Sequence, residues 1–321
     1  MDIKSIFKSV LTYDTDEDGF MLPRRFSESQ KAKYDKLPHR AYAYANAGML
    51  MDFYTDADEI SFEYVVFNSW TSMFPDSTPT FDIFENDTLT ASIELSVSPA
   101  GCVHNMEYTC EKSGEKKITV VFPANAVVAV RNIEIGNFRP TEEKKRKFLI
   151  LGDSISSGLQ NNTASNNYAL SLRRFFDADF LNQSVGGDCF NADILEKTDF
   201  EPTDVIVALG TNEMVFTQKL EKSEKNIKSY FARLSELFGD KKIYAVTPIW
   251  TTMAKSDPES FKLLLGIAEK TAQTASEYGY TVIDGMKLVP HDKRYYSDAL
   301  HPNDLGFAHY SLNIIKALLN P

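Results

Sequence analysis

"KFLILGDSISSGLQ", residues 147–160, decides how the C-terminal half of the chain folds. Four apolar residues, Phe148 to Leu151, run directly into Gly152-Asp153-Ser154. A short apolar run that ends on turn residues reads as a strand buried on both faces, the kind a parallel sheet uses. The small residues after it suit a turn that caps the next helix. They equally suit a serine held as a nucleophile at the end of a sheet. Ser154 alone does not separate the two.

The same texture repeats downstream. Apolar strands are predicted at 148–152, 179–184, 204–210, 242–248 and 280–285, with helical patterns at about 166–177, 188–197, 222–238, 257–278 and 303–319. This alternation predicts an α/β fold with a five-stranded parallel sheet covered on both faces. In such sheets ligands bind at the carboxyl ends of the strands.

Upstream the texture differs. Short runs rich in Val, Ile, Phe and Thr occupy 59–68, 80–86, 90–98, 117–123 and 127–136, separated by Pro, Asn, Asp and Gly. That spacing predicts a β-sandwich. The charge run "TEEKKRK" (141–147) marks the join. The expected organisation is a β-sandwich domain over 1–140, a linker over 141–146 and the α/β domain over 147–321.

Bulk properties narrow the function classes. The 321-residue chain is 43% hydrophobic and 25% charged, with a formal net charge of −11. A negative surface repels phosphate backbones and anionic lipid, so neither nucleic acid nor a membrane is the expected partner. The N-terminus, "MDIKSIFKSVLTYDTDEDGF", has no long apolar run of the signal-peptide kind, and the expected location is cytoplasmic. Three cysteines, Cys102, Cys110 and Cys189, do not form a disulfide framework. Cys102 and Cys110 are spaced to meet across a hairpin, but free thiols are the expectation. Histidines and cysteines show no metal-ligand spacing, and "GDSISSG" lacks both Gly-x-Gly-x-x-Gly and a P-loop lysine. No metal and no cofactor are expected.

A serine nucleophile needs a base within hydrogen-bond reach, and the base needs a partner that holds its tautomer. The chain has five histidines. His39 and His104 lie in the β-rich part, His291 in "VPHDKRYY", and His309 inside the last helical pattern, where a structural role is the usual one. His301 stands apart in "SDALHPND", three residues after Asp298. A turn or helical start places such residues on one side, and Pro302 suits the first helical position. Asp298 is then able to accept from Nδ1 of His301 and leave Nε2 as the base. A loop carboxylate beside a capping histidine is the alternative. An oxyanion site needs rigid donors. Candidates are the Ser154 N–H, the Gly186-Gly187 backbone in "NQSVGGD" after the second strand, and the Asn212 amide in "ALGTNE" after the third. A glycine turn and an asparagine cap remain the plain alternatives.

Taken in chain order, these segments resemble the SGNH-type hydrolases of the GDSL esterase/lipase superfamily. Block one is "GDSI", block two "NQSVGGD", block three "GTNE" and block five "DALH", and the resemblance spans about residues 147–321. It implies a flavodoxin-like catalytic domain, with Ser154 as nucleophile, His301 as general base and Asp298 as its orienter. It also implies an oxyanion hole made by Ser154 N–H, Gly187 N–H and the Asn212 side chain. Block three departs from the family's usual Gly-x-Asn-Asp in having Glu213, which leaves the donor in place. Asp153 is expected to stabilise the turn without chemistry of its own.

A β-sandwich (jelly-roll-like) domain ahead of an SGNH domain resembles carbohydrate esterase family two and related acetylesterases. The implied substrate is an O-acetylated sugar or oligosaccharide. Some members of that group lack the acid of the triad, and Asp298 indicates that this chain keeps it. Trp250, just past the fourth strand, reads equally as a sugar-stacking residue and as a packing residue. Tyr295 and Tyr296 carry the same two readings. Alternative activities with the same residues are those of a thioesterase, a short-chain lipase-like esterase or an acyltransferase. A glycan-binding protein without turnover is the alternative outside enzymes.

Overall fold

The structure, a computed structural model, describes residues 2–74, 77–97 and 99–320. Its C-terminal half is built on the parallel sheet. The five strands are Arg146–Gly152, Ala178–Asn182, Asp204–Ala208, Lys242–Val246 and Thr281–Ile283. All neighbours pair in parallel, in the spatial order second, first, third, fourth, fifth. That is the flavodoxin-like order, and it puts the switch point beside the first strand, the one that leads into Ser154.

The uninterrupted apolar run of this strand follows from burial on both sides. Phe148 and Ile150 pack into the core made with helices Tyr168–Phe176 and Asp304–Leu319. Leu149 and Leu151 pack the opposite way, against Leu220–Phe238 and Pro258–Glu277. Alternate side chains thus serve alternate faces, as the period of a strand dictates.

Two antiparallel sheets form the β-rich part. One contains Phe7–Lys8, Leu50–Thr55, Lys116–Val121, Thr80–Glu85, Thr88–Glu94 and Phe138–Pro140. The other contains Thr12–Thr15, Met21–Arg24, Ala126–Glu134, Glu59–Ser69 and Val103–Thr109. A single core fills the space between them, with Phe53, Phe81, Ile118 and Val120 from the first sheet meeting Phe62, Met106, Val128 and Val130 from the second.

Several elements depart from the sequence expectation. The pattern at 188–197 forms no α-helix, only a 3-10 turn at Ala192–Ile194. Its polar side chains and backbone are spent locally: Asn191 caps Asp193 N–H, and Phe190 N–H donates to Glu213. Leu50–Thr55 and Val103–Thr109 are strands that the pattern did not single out. In the first, Asp52 interrupts the apolar run. It is buried because Arg173, from the first helix after Ser154's turn region, pairs with it, while Thr119 and Thr141 hydroxyls each donate at 2.6 Å. In the second, every other residue faces solvent and only Met106 and Tyr108 are buried. The strand expected at 90–98 ends at Glu94, and Ser98 lies outside the described residues.

The charged join is fastened down. Thr141 is buried, Lys144 N–H donates to Asp179 at 2.7 Å, and Arg146 already begins the first parallel strand. Residues 25–45 also leave the sandwich and pack on the α/β half. Phe26, Tyr34 and Ala43 share a cluster with Val185 and Ile194. The fully buried Arg25 donates to the carbonyls of Asn182 (2.7 Å) and Ser184 (2.8 Å). The three cysteines are free.

Candidate active site

The first parallel strand ends at Gly152, where a side chain has no room: a Cβ there would lie 2.3 Å from Ser156 Oγ. The next residue, Asp153, caps the short helix Ser154–Ser157 by accepting from Ile155 N–H at 3.0 Å. Ser157 Oγ lies within hydrogen-bond distance of the carbonyls of Asp153 (3.1 Å) and Ser184 (3.0 Å) and shares its one hydrogen between them, which ties this turn to the loop after the second strand. Ser154 is therefore presented at the carboxyl edge of the sheet by a turn with little freedom. Burial pushes the Asp153 carboxyl up to about 7, against the opposing pull of Ile155 N–H and His301.

His301 Nε2 lies 2.8 Å from Ser154 Oγ, and its Nδ1 lies 2.8 Å from Asp298 Oδ2. The other oxygen, Asp298 Oδ1, accepts the N–H groups of Leu300 and His301, both at 2.7 Å. One carboxylate thus shapes the loop and orients the imidazole. Burial works to raise the Asp298 pKa, but the bond and charge of His301 and the two backbone donors outweigh it, and the carboxyl is held well below the usual range. The helix after this loop starts at Asp304 with Asn303 as its cap, two residues later than Pro302 suggested; Pro302 instead bridges to Tyr296.

The oxyanion candidates surround the same serine. Gly187 has φ +89°, a conformation that favours glycine, and its loop is closed by Asp188 N–H donating to Val185 at 3.1 Å. Asn212 Nδ2 donates one hydrogen to the Asp188 carbonyl at 3.0 Å and has a second to offer. Glu213 continues that loop inward. Fully buried, it accepts from Phe190 N–H at 2.6 Å, and burial pushes its carboxyl up to about 7. Its longer side chain joins the loops after the second and third strands.

Ser154, His301, Gly187 and Asn212 all line one cleft of about 210 Å³. Much of its remaining wall is apolar: Tyr42, Phe74, Leu159, Val215, Phe216 and Leu300. Trp250, Tyr295 and Tyr296 are not among these lining residues, and their contacts are those of the packing reading. Trp250 is 7% exposed and stacks on His291 at 5.3 Å, and Tyr296 donates its hydroxyl to the Trp250 carbonyl at 2.6 Å. Tyr295 packs edge-on against His309 at 5.0 Å. The strand end is on the correct edge of the sheet, but large rings gain more by joining the core beneath it.

Three features around the cleft had no sequence signal. Gln160, the last residue of the stretch quoted first, donates its side-chain amide to Asp298 Oδ2 and sits 3.2 Å from His301 Nδ1. His39, Tyr42 and Phe74 bring the N-terminal part into the cleft wall. Finally, Asp188 is held by two side chains from residues 25–45: Tyr34 OH donates to Oδ2 and His39 Nε2 meets Oδ1, both at 2.6 Å.

Fold and site together define an α/β domain with a serine–histidine–carboxylate chain at the carboxyl edge of its sheet. Residues 150–309 match the sequence profile of the GDSL-like lipase/acylhydrolase family, and the chain carries a domain of that family. No curated protein matches the sequence significantly. Among solved structures, the chain is similar to SsfX3, a salicylyl-acyltransferase from a tetracycline biosynthetic pathway. That match has 14% identity and a TM-score of 0.80, covering 98% of this chain and 93% of the other. A GDSL-like lipase from Bacteroides ovatus aligns with 16% identity, a TM-score of 0.75, and coverage of 98% and 95%. A family two carbohydrate esterase from Clostridium thermocellum, solved with cellohexaose, aligns with 12% identity, a TM-score of 0.64, and coverage of 86% and 92%. At these identities the likeness is one of fold, and it extends over the β-rich half as well.

Proposed function

We propose that the protein is a serine esterase that hydrolyses acyl esters, foremost acetyl esters, of carbohydrate hydroxyls through a covalent acyl-enzyme. The observation that carries this is the unbroken chain from Ser154 Oγ through His301 to Asp298, two contacts of 2.8 Å each. Gly187 and Asn212 beside the serine supply the electrostatic partner such chemistry needs. The carbohydrate substrate is supported by the fold of the family two esterase, whose structure holds an oligosaccharide.

The reaction runs in two halves. Ser154 Oγ passes its proton to His301 Nε2 and attacks the ester carbonyl carbon. The oxyanion faces Ser154 N–H, Gly187 N–H and Asn212 Nδ2. The bond to the alcohol oxygen breaks, and the alcohol leaves with the proton from His301. Water then gives a proton to His301, its oxygen attacks the acyl-enzyme, and the carboxylic acid departs as Ser154 regains its proton. Asp298 stays ionised throughout and holds the imidazole tautomer.

The apolar wall of the cleft favours a second reading, an esterase, thioesterase or acyltransferase for a bulkier acyl group. One experiment separates the two. Acetate release is measured from acetylated mannan, xylan and chitin-derived substrates, with Ser154→Ala as the blank. An acyl-chain series on a common alcohol is run alongside. Release from a glycan with preference for acetyl supports the first reading. Rising activity with acyl size and no acetate release supports the second. Turnover by Ser154→Ala equal to wild type removes both.

A further inference from the structure

We infer that His39 reads the substrate directly: it presents a fixed hydrogen-bond acceptor beside the oxyanion site and selects a substrate carrying a hydroxyl donor next to the scissile ester. The inference rests on the esterase function proposed above.

Asp188 fixes the orientation of His39. Its carboxylate is nearly buried and accepts from Tyr34 OH on one oxygen, with His39 Nε2 at 2.6 Å from the other. A buried carboxylate contacting two side chains needs both as donors, so Nε2 of His39 carries its hydrogen toward Asp188. In the neutral imidazole this fixes the tautomer, and Nδ1 is left as an acceptor. No described residue hydrogen-bonds to Nδ1, while the Nε2 edge is anchored. The side chain is 20% exposed and its residue lines the cleft with Ser154 and His301.

Placement explains why this acceptor matters to the reaction. The ring lies against Gly187: a Cβ built on that glycine would be 3.2 Å from His39 Cβ and 3.3 Å from Cγ. Asp188 also positions the other oxyanion donor, since its carbonyl receives Asn212 Nδ2. His39 therefore adjoins the place where the ester carbonyl sits, within a wall that is otherwise largely apolar. An isolated acceptor in an apolar wall rewards a donor and penalises its absence, because an unpaired buried group costs more than a made bond returns. The donor has two possible sources, a hydroxyl of the alcohol or one on the acyl group.

Two variants divide anchoring from recognition. In His39→Gln the amide occupies the Nε2 position and keeps the bond to Asp188 but removes the Nδ1 acceptor. In His39→Asn the amide occupies the Nδ1 position and keeps an acceptor there but loses the anchor. Each is assayed on two matched pairs of esters. The alcohol pair is a methyl xyloside monoacetate against the same acetate with its remaining hydroxyls methylated. The acyl pair is ethyl glycolate against ethyl methoxyacetate. The readout is the ratio of kcat/KM within each pair.

The expected result is a ratio about fivefold or more lower in His39→Gln for one pair, as loss of a single discriminating hydrogen bond gives. The pair that changes names the source of the hydroxyl. In His39→Asn the ratio for that pair is retained relative to His39→Gln. Ratios in both pairs equal to wild type, or a loss in His39→Asn alone, overturn the inference and leave His39 as an anchor only. Because wild type and Ser154→Ala are run on the same esters, absence of wild-type turnover marks failure of the esterase function itself.

Discussion

Two histidines, His301 and His39, line one cleft, each held by an aspartate, and the two pairs were assembled by opposite means. Asp298 and His301 are three residues apart, on a single loop that their own backbone bonds shape. His39 and Asp188 are 149 residues apart and meet only because residues 25–45 pack on the loop after the second parallel strand. The first pair contacts the serine. The second contacts the glycine loop and braces it. In the function proposed above, the local pair serves the chemistry and the tertiary pair fixes the surface on which it acts.

The largest expected difference between the pairs is in turnover. Asp298→Ala removes the group that holds the His301 tautomer, and kcat should fall about 10³- to 10⁴-fold, as removing a triad carboxylate does. Steady-state kinetics on an acetyl ester checks it. A loss under tenfold would show that Asp298 is a loop residue only. Asp188→Ala acts one step further away. It frees the Gly187 loop and strands Tyr34 and His39, and the expected loss is about 10- to 10²-fold in kcat, below that of deleting an oxyanion donor outright. If Asp188→Ala equalled Asp298→Ala, the contrast between chemistry and bracing would collapse.

Gln160 sharpens the first pair. Gln160→Ala removes one donor from Asp298 and leaves the two backbone donors, so kcat/KM should fall only about three- to tenfold. An unchanged value would make the contact incidental. The smallest effect concerns stability. Glu213 is raised by burial from 4.5 to about 7. In that window the folded state holds a proton that the unfolded state has released. Its contribution to stability is therefore full below about pH 4.5 and is lost as pH rises toward 7. Glu213→Gln should show a flatter fall of Tm between pH 5 and 7.5 than wild type. Parallel curves would place the Glu213 pKa near its ordinary value.

The same contrast explains what was legible in the sequence. Ser154, Gly187 and Asn212 stand in short blocks at strand ends, and Asp298 and His301 share one block, so local pattern is enough to find them. The parallel sheet was legible because burial on both faces writes an apolar run into each strand. Asp52 hid the strand Leu50–Thr55, since the arginine that makes a buried aspartate tolerable lies 121 residues away. The pattern at 188–197 promised a helix because periodicity does not register side chains that bond their own loop. Trp250 was placed at the right strand end, but which way a ring turns depends on neighbours such as Tyr296 that no spacing reports. His39, Tyr42 and Phe74 enter the cleft, and Gln160 reaches Asp298, by tertiary packing alone.

Covalent trapping reports directly on whether Ser154 is an activated nucleophile. The protein is incubated with a small fluorophosphonate, and the adduct is located by peptide mass spectrometry. One phosphonyl group is expected, on Ser154, formed slowly in His301→Ala and absent in Ser154→Ala. An adduct on another residue, or equal labelling of wild type and His301→Ala, would contradict it.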